Sequence, residues 1–341
     1  METRSVLRGS GADDGRCRSQ SREEGDRVKA LITGITGFVG QYLAEHLLGC
    51  GDDVLGINFD DHWPADASAI VRDRAALLRW DLPHRLPDAT RRSIERFAPD
   101  CVYHLAAVSV PGECGETEPK EQAWAVNVQG TRCVVDLATS LAPRPRLLVV
   151  SSAHVYAPVS RERPIVDEDA PVGPKGAYGK TKHEAEKIAL CAAQDGLDVI
   201  VARAFQHSGP RQAPKFLLPE WAEQFARPGE GPIHVLSLDS FLDLSDVRDV
   251  VRAYRALIER KGTKGCYNVG RGESVRSGDV FRMLSELAGK PRQVIERRPG
   301  LRQEPIADIS RLVAQTQWRP RITLQQTVAD TLRYWQVRHV G

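Results

Sequence analysis

Val28-Lys29-Ala30-Leu31-Ile32-Thr33-Gly34-Ile35-Thr36-Gly37-Phe38-Val39-Gly40 is the stretch on which the reading turns. Val28 to Thr33 is a short apolar run of buried-strand type, and it ends at Gly34. Gly37 and Gly40 follow at the spacing G-x-x-G-x-x-G. From Phe38 to Leu48 apolar residues recur at helical spacing, with Val39, Leu43 and Leu47 on one ridge. A strand, a tight turn and a helix in immediate succession place the free N–H groups of a helix N-terminus where a phosphate can sit. Gly34 permits the tight turn, Gly37 lets a pyrophosphate approach the backbone, and Gly40 lets the helix lie close to the strand. A glycine triplet alone is a weak signal, and the strand–turn–helix context is what gives it weight.

Beyond this unit the pattern repeats. Apolar runs at Asp53–Ile57, Leu77–Trp80, Cys101–Leu105, Leu147–Ser151, Asp198–Phe205 and Cys266–Val269 alternate with amphipathic stretches at Gln122–Leu141, Tyr178–Asp195 and Asp246–Arg260. Strands alternating with helices predict an α/β fold: a doubly wound parallel sheet with a smaller carboxyl-terminal substrate-binding region. The expected division is a dinucleotide-binding unit over residues 28–205, to which 233–270 returns, and a substrate-binding region over 206–232 and 271–341. In the latter, a helix near Ser277–Ala288, a strand near Gln293–Arg297 and a last helix from Thr323 are predicted. Residues 1–27, rich in Arg, Ser, Gly and acids and poor in apolar periodicity, read as a disordered extension. Its acids Asp13, Asp14, Glu23 and Glu24 weaken the alternative of a basic tail for acidic partners.

Composition narrows the partners. The 341 residues carry 47 basic and 45 acidic side chains, a net +2 that makes no case for nucleic acid. No apolar run is long enough to span a membrane, and no apolar leader core is present, so a cytoplasmic protein is expected. The seven cysteines are scattered and odd in number, which predicts free thiols in a reducing compartment. The histidines show no metal-ligand spacing, so no metal is expected.

Two further stretches carry chemistry. Ala177-Tyr178-Gly179-Lys180-Thr181-Lys182 contains Y-x-x-x-K, which sets Tyr178 and Lys182 on one helical face. A phenol titrates too high for proton transfer at neutral pH, and a neighbouring ammonium favours its ionised form. Val149-Val150-Ser151-Ser152 is a strand ending in hydroxyls, at the carboxyl edge where open α/β sheets bind ligands. Ser152 there can donate a hydrogen bond to a carbonyl oxygen. After the second strand comes Asn58, where an acid would meet the ribose 2′-hydroxyl, then Asp60 and Asp61 with no Arg close behind. This favours NAD(H), with NADP(H) as the alternative. His104 reads as a core hydrogen-bonding group, Trp124, Trp221, Trp318 and Trp335 as packing, and Ser109 as a residue placed to meet substrate.

In combination these residues resemble the extended short-chain dehydrogenase/reductases, the NAD-dependent epimerase/dehydratase family, from Val28 to about Trp335. The resemblance rests on Thr33–Gly40, Asp81-Leu82, Tyr103–Ala107, Asn127–Thr131, Ser152, Tyr178 and Lys182. It implies that Gly34, Thr36, Gly37, Phe38, Val39, Gly40 and Asn58 hold the cofactor, that Asp81 and Leu82 lie by its adenine, and that Leu105, Ala106 and Ala107 line it. Ser152, Tyr178 and Lys182 become the catalytic set, with Lys182 also on the nicotinamide ribose. Arg203-Ala204-Phe205-Gln206-His207-Ser208-Gly209-Pro210 is similar to the R-x-F-N-H-x-G-P of GDP-mannose dehydratases and GDP-4-keto-6-deoxy-mannose reductases. The resemblance therefore implies a nucleotide-sugar substrate, GDP-linked by preference, and a homodimer. Reduction at C4 of a GDP-4-keto-6-deoxy-hexose is the first reading. A nucleotide-sugar 4-epimerase and a non-catalytic dinucleotide sensor are the alternatives. Three departures stand out: Gln206 replaces the expected Asn, Leu242 replaces an arginine that Arg302 (or Arg298) would substitute, and His154 stands where the dehydratases carry a catalytic glutamate.

Overall fold

The computed structural model describes residues 27–340, so the expectation for the amino-terminal extension lies outside the described residues apart from Arg27. Seven parallel strands form the central sheet: β1 (Lys29–Thr33), β2 (Asp53–Asn58), β3 (Ala76–Arg79), β4 (Cys101–His104), β5 (Arg146–Ser152), β6 (Val199–Ala204) and β7 (Gly265–Val269). Their spatial order is 3-2-1-4-5-6-7, the doubly wound arrangement expected from the alternating pattern. Because side chains alternate along a strand, each apolar run feeds both faces. Ala30, Ile32, Leu148, Ile200 and Ala202 enter one core. Leu31, Leu147, Val149, Val199 and Val201 enter the other. The helices Phe38–Gly49 and Val247–Glu259 bury apolar residues in the first core. Gly130–Ser140 and Ala177–Gln194 do so in the second. The strand order reverses between β1 and β4, and the chain leaves both strands there at their carboxyl ends.

The carboxyl-terminal half adds a third core around Leu218, Trp221, Leu242, Leu244, Leu284 and Leu332. Within it, Ser240–Asp246 pairs with Ser274–Arg276, Arg302–Gln303 and Gln206–Ser208 in a small sheet. Of the span 233–270, therefore, the helix Val247–Glu259 and β7 join the main sheet, while Ile233–Val235 and Ser240–Asp246 pair elsewhere. A helix that the pattern does not announce spans Leu217–Ala226. Pro219 falls in its first turn, where the missing N–H costs no helical bond. Trp221 and Trp318 pack as expected, whereas Trp124 stays 40% exposed. None of the six described cysteines is in a disulfide. No described helix is long and apolar enough to cross a membrane.

The predicted helix over Gln122–Leu141 is one continuous rod with a widened turn. Ala125–Gln129 is π-helical between the α-helical Glu121–Trp124 and Gly130–Ser140. Such a turn accommodates one extra residue and often marks a functional position. Here it carries Asn127, whose amide oxygen accepts from Val108 N at 2.8 Å and whose nitrogen donates to Val108 O at 3.1 Å and Thr181 Oγ1 at 3.0 Å. One side chain thus ties the segment after β4 to the helix that bears Tyr178.

Candidate active site

Along the carboxyl edge of the sheet runs a cleft of about 760 Å³. Its walls bring together Gly34, Thr36, Gly37, Phe38, Val39, Gly40, Asn58, Asp81, Leu82, Leu105, Ala106, Ala107, Ser109, Ser152, Tyr178, Lys182 and Gln206. Arg302 is not among them. It lies on the two-residue strand beside Ser240, where its N–H bonds Asp239 O. Arg298 is exposed and outside the wall too. Where an arginine was expected the cleft presents Leu242, with Phe216, Leu217, Leu218 and Leu244 around it.

The turn after β1 is built as the glycine spacing demands. Gly34 takes φ +72°, and a Cβ there would stand 2.8 Å from the backbone of Ala106. A Cβ on Gly40 would lie 2.2 Å from Gly34 O, so the helix rests directly on the turn. The helix begins at Phe38 with no side-chain cap and no acid in its first turn. Its first N–H groups are left for an anion. After β2, Asn58 Nδ2 donates to Asp60 Oδ1 at 2.8 Å, which holds that carboxylate beside the expected ribose position.

His104 fixes the shelf opposite. It is 3% exposed and bridges Thr33 Oγ1 at 2.7 Å and Thr131 Oγ1 at 2.9 Å. Burial and the nearby Lys182 ammonium pull it down to about 3, so it is a neutral core link, in keeping with its sequence reading. Thr33 Oγ1 in turn accepts from Ala106 N at 3.3 Å, which positions Leu105–Ala107.

Tyr178 enters on the first turn of Ala177–Gln194, with Lys182 one turn on and 6% exposed. Burial pushes the Tyr178 phenol up to about 12, against a hydrogen bond with Ser152 that draws it down. Burial pulls the Lys182 ammonium down to about 8, against the carboxylate of Glu186. Ser152 is thus the side chain that draws the phenol down, while the Lys182 ammonium lowers His104 and Cys114 as well. Ser152 Oγ also accepts from His154 N at 3.2 Å. The His154 ring stands edge-on to Tyr178 with centroids 5.6 Å apart.

Residues the sequence reading missed complete the site. Gly179 is the clearest: a Cβ there would lie 2.2 Å from His154 O, so only glycine lets the Tyr178 helix close on the Ser152 turn. A residue without a side chain just after the tyrosine, on a packed helical face, was the available signal. His207, stacked on Phe38 at 6.4 Å, joins the phosphate turn to the substrate side. Gln206 Oε1 is buried on the cleft wall with no partner among the described residues. Among the described residues no cluster of His, Cys, Asp or Glu is arranged to hold a metal.

A nucleotide-binding turn, an uncapped helix start and a Ser–Tyr–Lys set on one sheet edge define an oxidoreductase-type site. The chain belongs to the NAD dependent epimerase/dehydratase family, whose profile matches residues 30–270. It is 26% identical over 323 residues to the GDP-6-deoxy-D-mannose reductase of Pseudomonas aeruginosa, covering 91% of this chain and 98% of that one. It is 28% identical over 320 residues to the dTDP-glucose 4,6-dehydratase of Streptomyces griseus, covering 91% and 94%. The solved structure of RMD from Pseudomonas aeruginosa complexed with NADPH is similar at a TM-score of 0.72 and 26% identity, over 91% and 99% of the two chains. The chain is therefore a nicotinamide-dependent enzyme of a nucleotide-sugar-modifying family, and its cleft fits a dinucleotide. The glycine cradle at Gly34 and Gly40 has no room for side chains, and the helix start offers unpaired donors.

Proposed function

We propose that this enzyme reduces the C4 carbonyl of a GDP-4-keto-6-deoxy-hexose. The observation that carries the reading is the composition of the reacting corner. Ser152, Tyr178 and Lys182 line one wall, and an imidazole stands beside the phenol where a dehydrating enzyme needs a carboxylate. Gly34, Gly37 and the start of the Phe38 helix would hold the dinucleotide's pyrophosphate. Asn58 would face the adenosine ribose, and Lys182 the nicotinamide ribose. When bound, the reduced nicotinamide supplies a hydride to the carbonyl carbon. Tyr178, neutral at pH 7, gives its proton to the carbonyl oxygen, and Ser152 steadies that oxygen by a hydrogen bond. Lys182 stabilises the phenolate that remains until solvent restores its proton.

The likeness to the Pseudomonas aeruginosa reductase over nearly the whole of both chains supports the GDP-sugar assignment. A 4-epimerase would use the same three groups with no net redox change. Incubation with GDP-4-keto-6-deoxy-mannose and NADH or NADPH separates the two. The proposal expects loss of reduced-nicotinamide absorbance in step with a product heavier by two hydrogens. Unchanged absorbance there, together with conversion of a 4-hydroxy sugar nucleotide such as GDP-mannose into its C4 epimer in the presence of NAD, would replace it with the epimerase. The proposal includes a homodimer, which light scattering of the purified protein tests.

A further inference from the structure

Tyr254 lies on the helix Val247–Glu259 and is 0% exposed, its ring packed in the core beneath the sheet's carboxyl edge. A phenylalanine would fill that space equally well. The hydroxyl is what distinguishes the residue, and it has no hydrogen-bond partner among the described residues. Buried polar groups are almost always paired, and an unpaired one is costly to the fold, so an orphan hydroxyl calls for an explanation. Ser151 Oγ is a second orphan donor on a residue of the cleft wall, while the indole nitrogens of Trp221 and Trp335 sit away from it. Tyr254 instead reaches the cleft floor, alongside Val150, Ser152 and Leu105. It is near enough to Tyr178 for the two phenols to repel when ionised. Burial holds the Tyr254 phenol well above its ordinary range, so it is an O–H donor at any working pH.

The position along the cleft says what would meet it. The glycine turn takes the pyrophosphate at one end. The proton of Tyr178 and the hydride must reach the same carbonyl at the other, which brings the nicotinamide beside Tyr178. The nicotinamide carries a carboxamide, with a carbonyl acceptor and an amide donor. We propose that the Tyr254 hydroxyl is a hydrogen-bond contact for the nicotinamide carboxamide, fixing how the ring lies on the cleft floor. The inference rests on the cofactor placement given above.

Tyr254→Phe tests it, because only the orphan hydroxyl is removed. Affinity for NADH and NADPH should weaken about five- to tenfold, the loss of one buried hydrogen bond. Affinity for ADP-ribose, which lacks the nicotinamide, should not change. The ligand-free variant should melt at or above the wild-type temperature. Undiminished NADH affinity in the variant would overturn the proposal. So would parallel loss of NADH and ADP-ribose binding with a lowered melting temperature, since that pattern belongs to a structural hydroxyl. Should the variant not fold, the wild type answers with pyridine adenine dinucleotide, which lacks the carboxamide. It should bind more weakly than NAD by a similar factor, and equal binding refutes the contact. If the wild type binds neither NADH nor ADP-ribose, the cofactor placement itself fails, and the proposal with it.

Discussion

Replacing Gly40 by alanine sets two effects of known size against each other. In a helix interior alanine is favoured over glycine by about 1 kcal/mol. At Gly40, however, the new Cβ would stand 2.2 Å from Gly34 O and 2.7 Å from Ile35 Cα, where ordinary contact begins at 3.4 Å. Both obstacles are backbone, so no rotamer relieves them, and the helix must withdraw by about 1 Å, a displacement large enough to disturb a binding geometry. Overpacking of this kind costs about 1–3 kcal/mol, and the rigid surroundings place Gly40 at the upper end, leaving a net loss of about 2 kcal/mol. The same helix supplies the control. Gly49 has nothing within 4 Å of its would-be Cβ, so Gly49→Ala should gain part of the propensity term. The two variants should differ by about 3 kcal/mol, or about 6 °C in melting temperature for a chain of this size. Because the withdrawn helix carries the phosphate-facing N–H groups, Gly40→Ala should also weaken NADH binding by about tenfold or more, while Gly49→Ala leaves it unchanged. Scanning calorimetry and isothermal titration measure both. Equal melting temperatures and equal affinities would refute the close-packing argument.

Four further outcomes follow from the site. Tyr178→Phe should retain cofactor affinity and lose turnover by at least about 100-fold, because only the proton donor is removed; near-normal turnover would sink the assignment. The Lys182 ammonium is present below its value of about 8 and lost above it, so reductive turnover should fall as pH rises through that value; a profile flat across it would deny the lysine a part. With Asp60 held by Asn58 and Asp61 beside it, a 2′-phosphate meets negative charge, and NADH should bind at least about fivefold more tightly than NADPH in titrations. A clear preference for NADPH would show that these acids do not face the ribose. Incubated with GDP-mannose and NAD or NADP, the enzyme should yield no dehydrated 4-keto product by mass spectrometry, since His154 offers no carboxylate for C5; water loss at a catalytic rate would displace the reductase reading.

Legibility in the sequence tracked the range of the interaction. The turn at Gly34–Gly40 and the runs of β1 to β7 declare themselves through local spacing and an alternation that feeds two cores. Of the short strands of the carboxyl half only Val294–Glu296, inside the predicted Gln293–Arg297, does so. Gln206–Ser208 and Arg302–Gln303 are defined by partners on Ser240–Asp246, tens of residues away in the chain, and hold too few residues for any period. The Ser152, Tyr178 and Lys182 constellation was readable because each type has a chemical reason at its place. Gly179 was not, since its need arises only where the helix meets the carbonyl of His154. Arg302 was expected to serve the cleft by charge alone, and strand pairing carried it elsewhere. Nothing in the stretch Asp246–Arg260 sets Tyr254 apart, and only its unpaired oxygen distinguishes it.

The route of the chain through the sheet also governs how this enzyme can be recombined. β6 is buried along its whole length, and its outer edge is covered by β7, which the chain reaches only after laying down two strands of the small sheet, Gln206–Ser208 and Ser240–Asp246. A fragment ending at residue 205 would leave Val199–Ala204 as a bare apolar edge, a template for pairing with other copies. It would also lack the helix Val247–Glu259 that closes the first core. Grafting a relative's carboxyl-terminal region onto this amino-terminal unit therefore requires three crossovers, with residues 247–269 kept from the parent that supplies the central sheet. A chimaera joined at a single point near residue 205 would have to rebuild the β6–β7 ladder between strands that evolved apart.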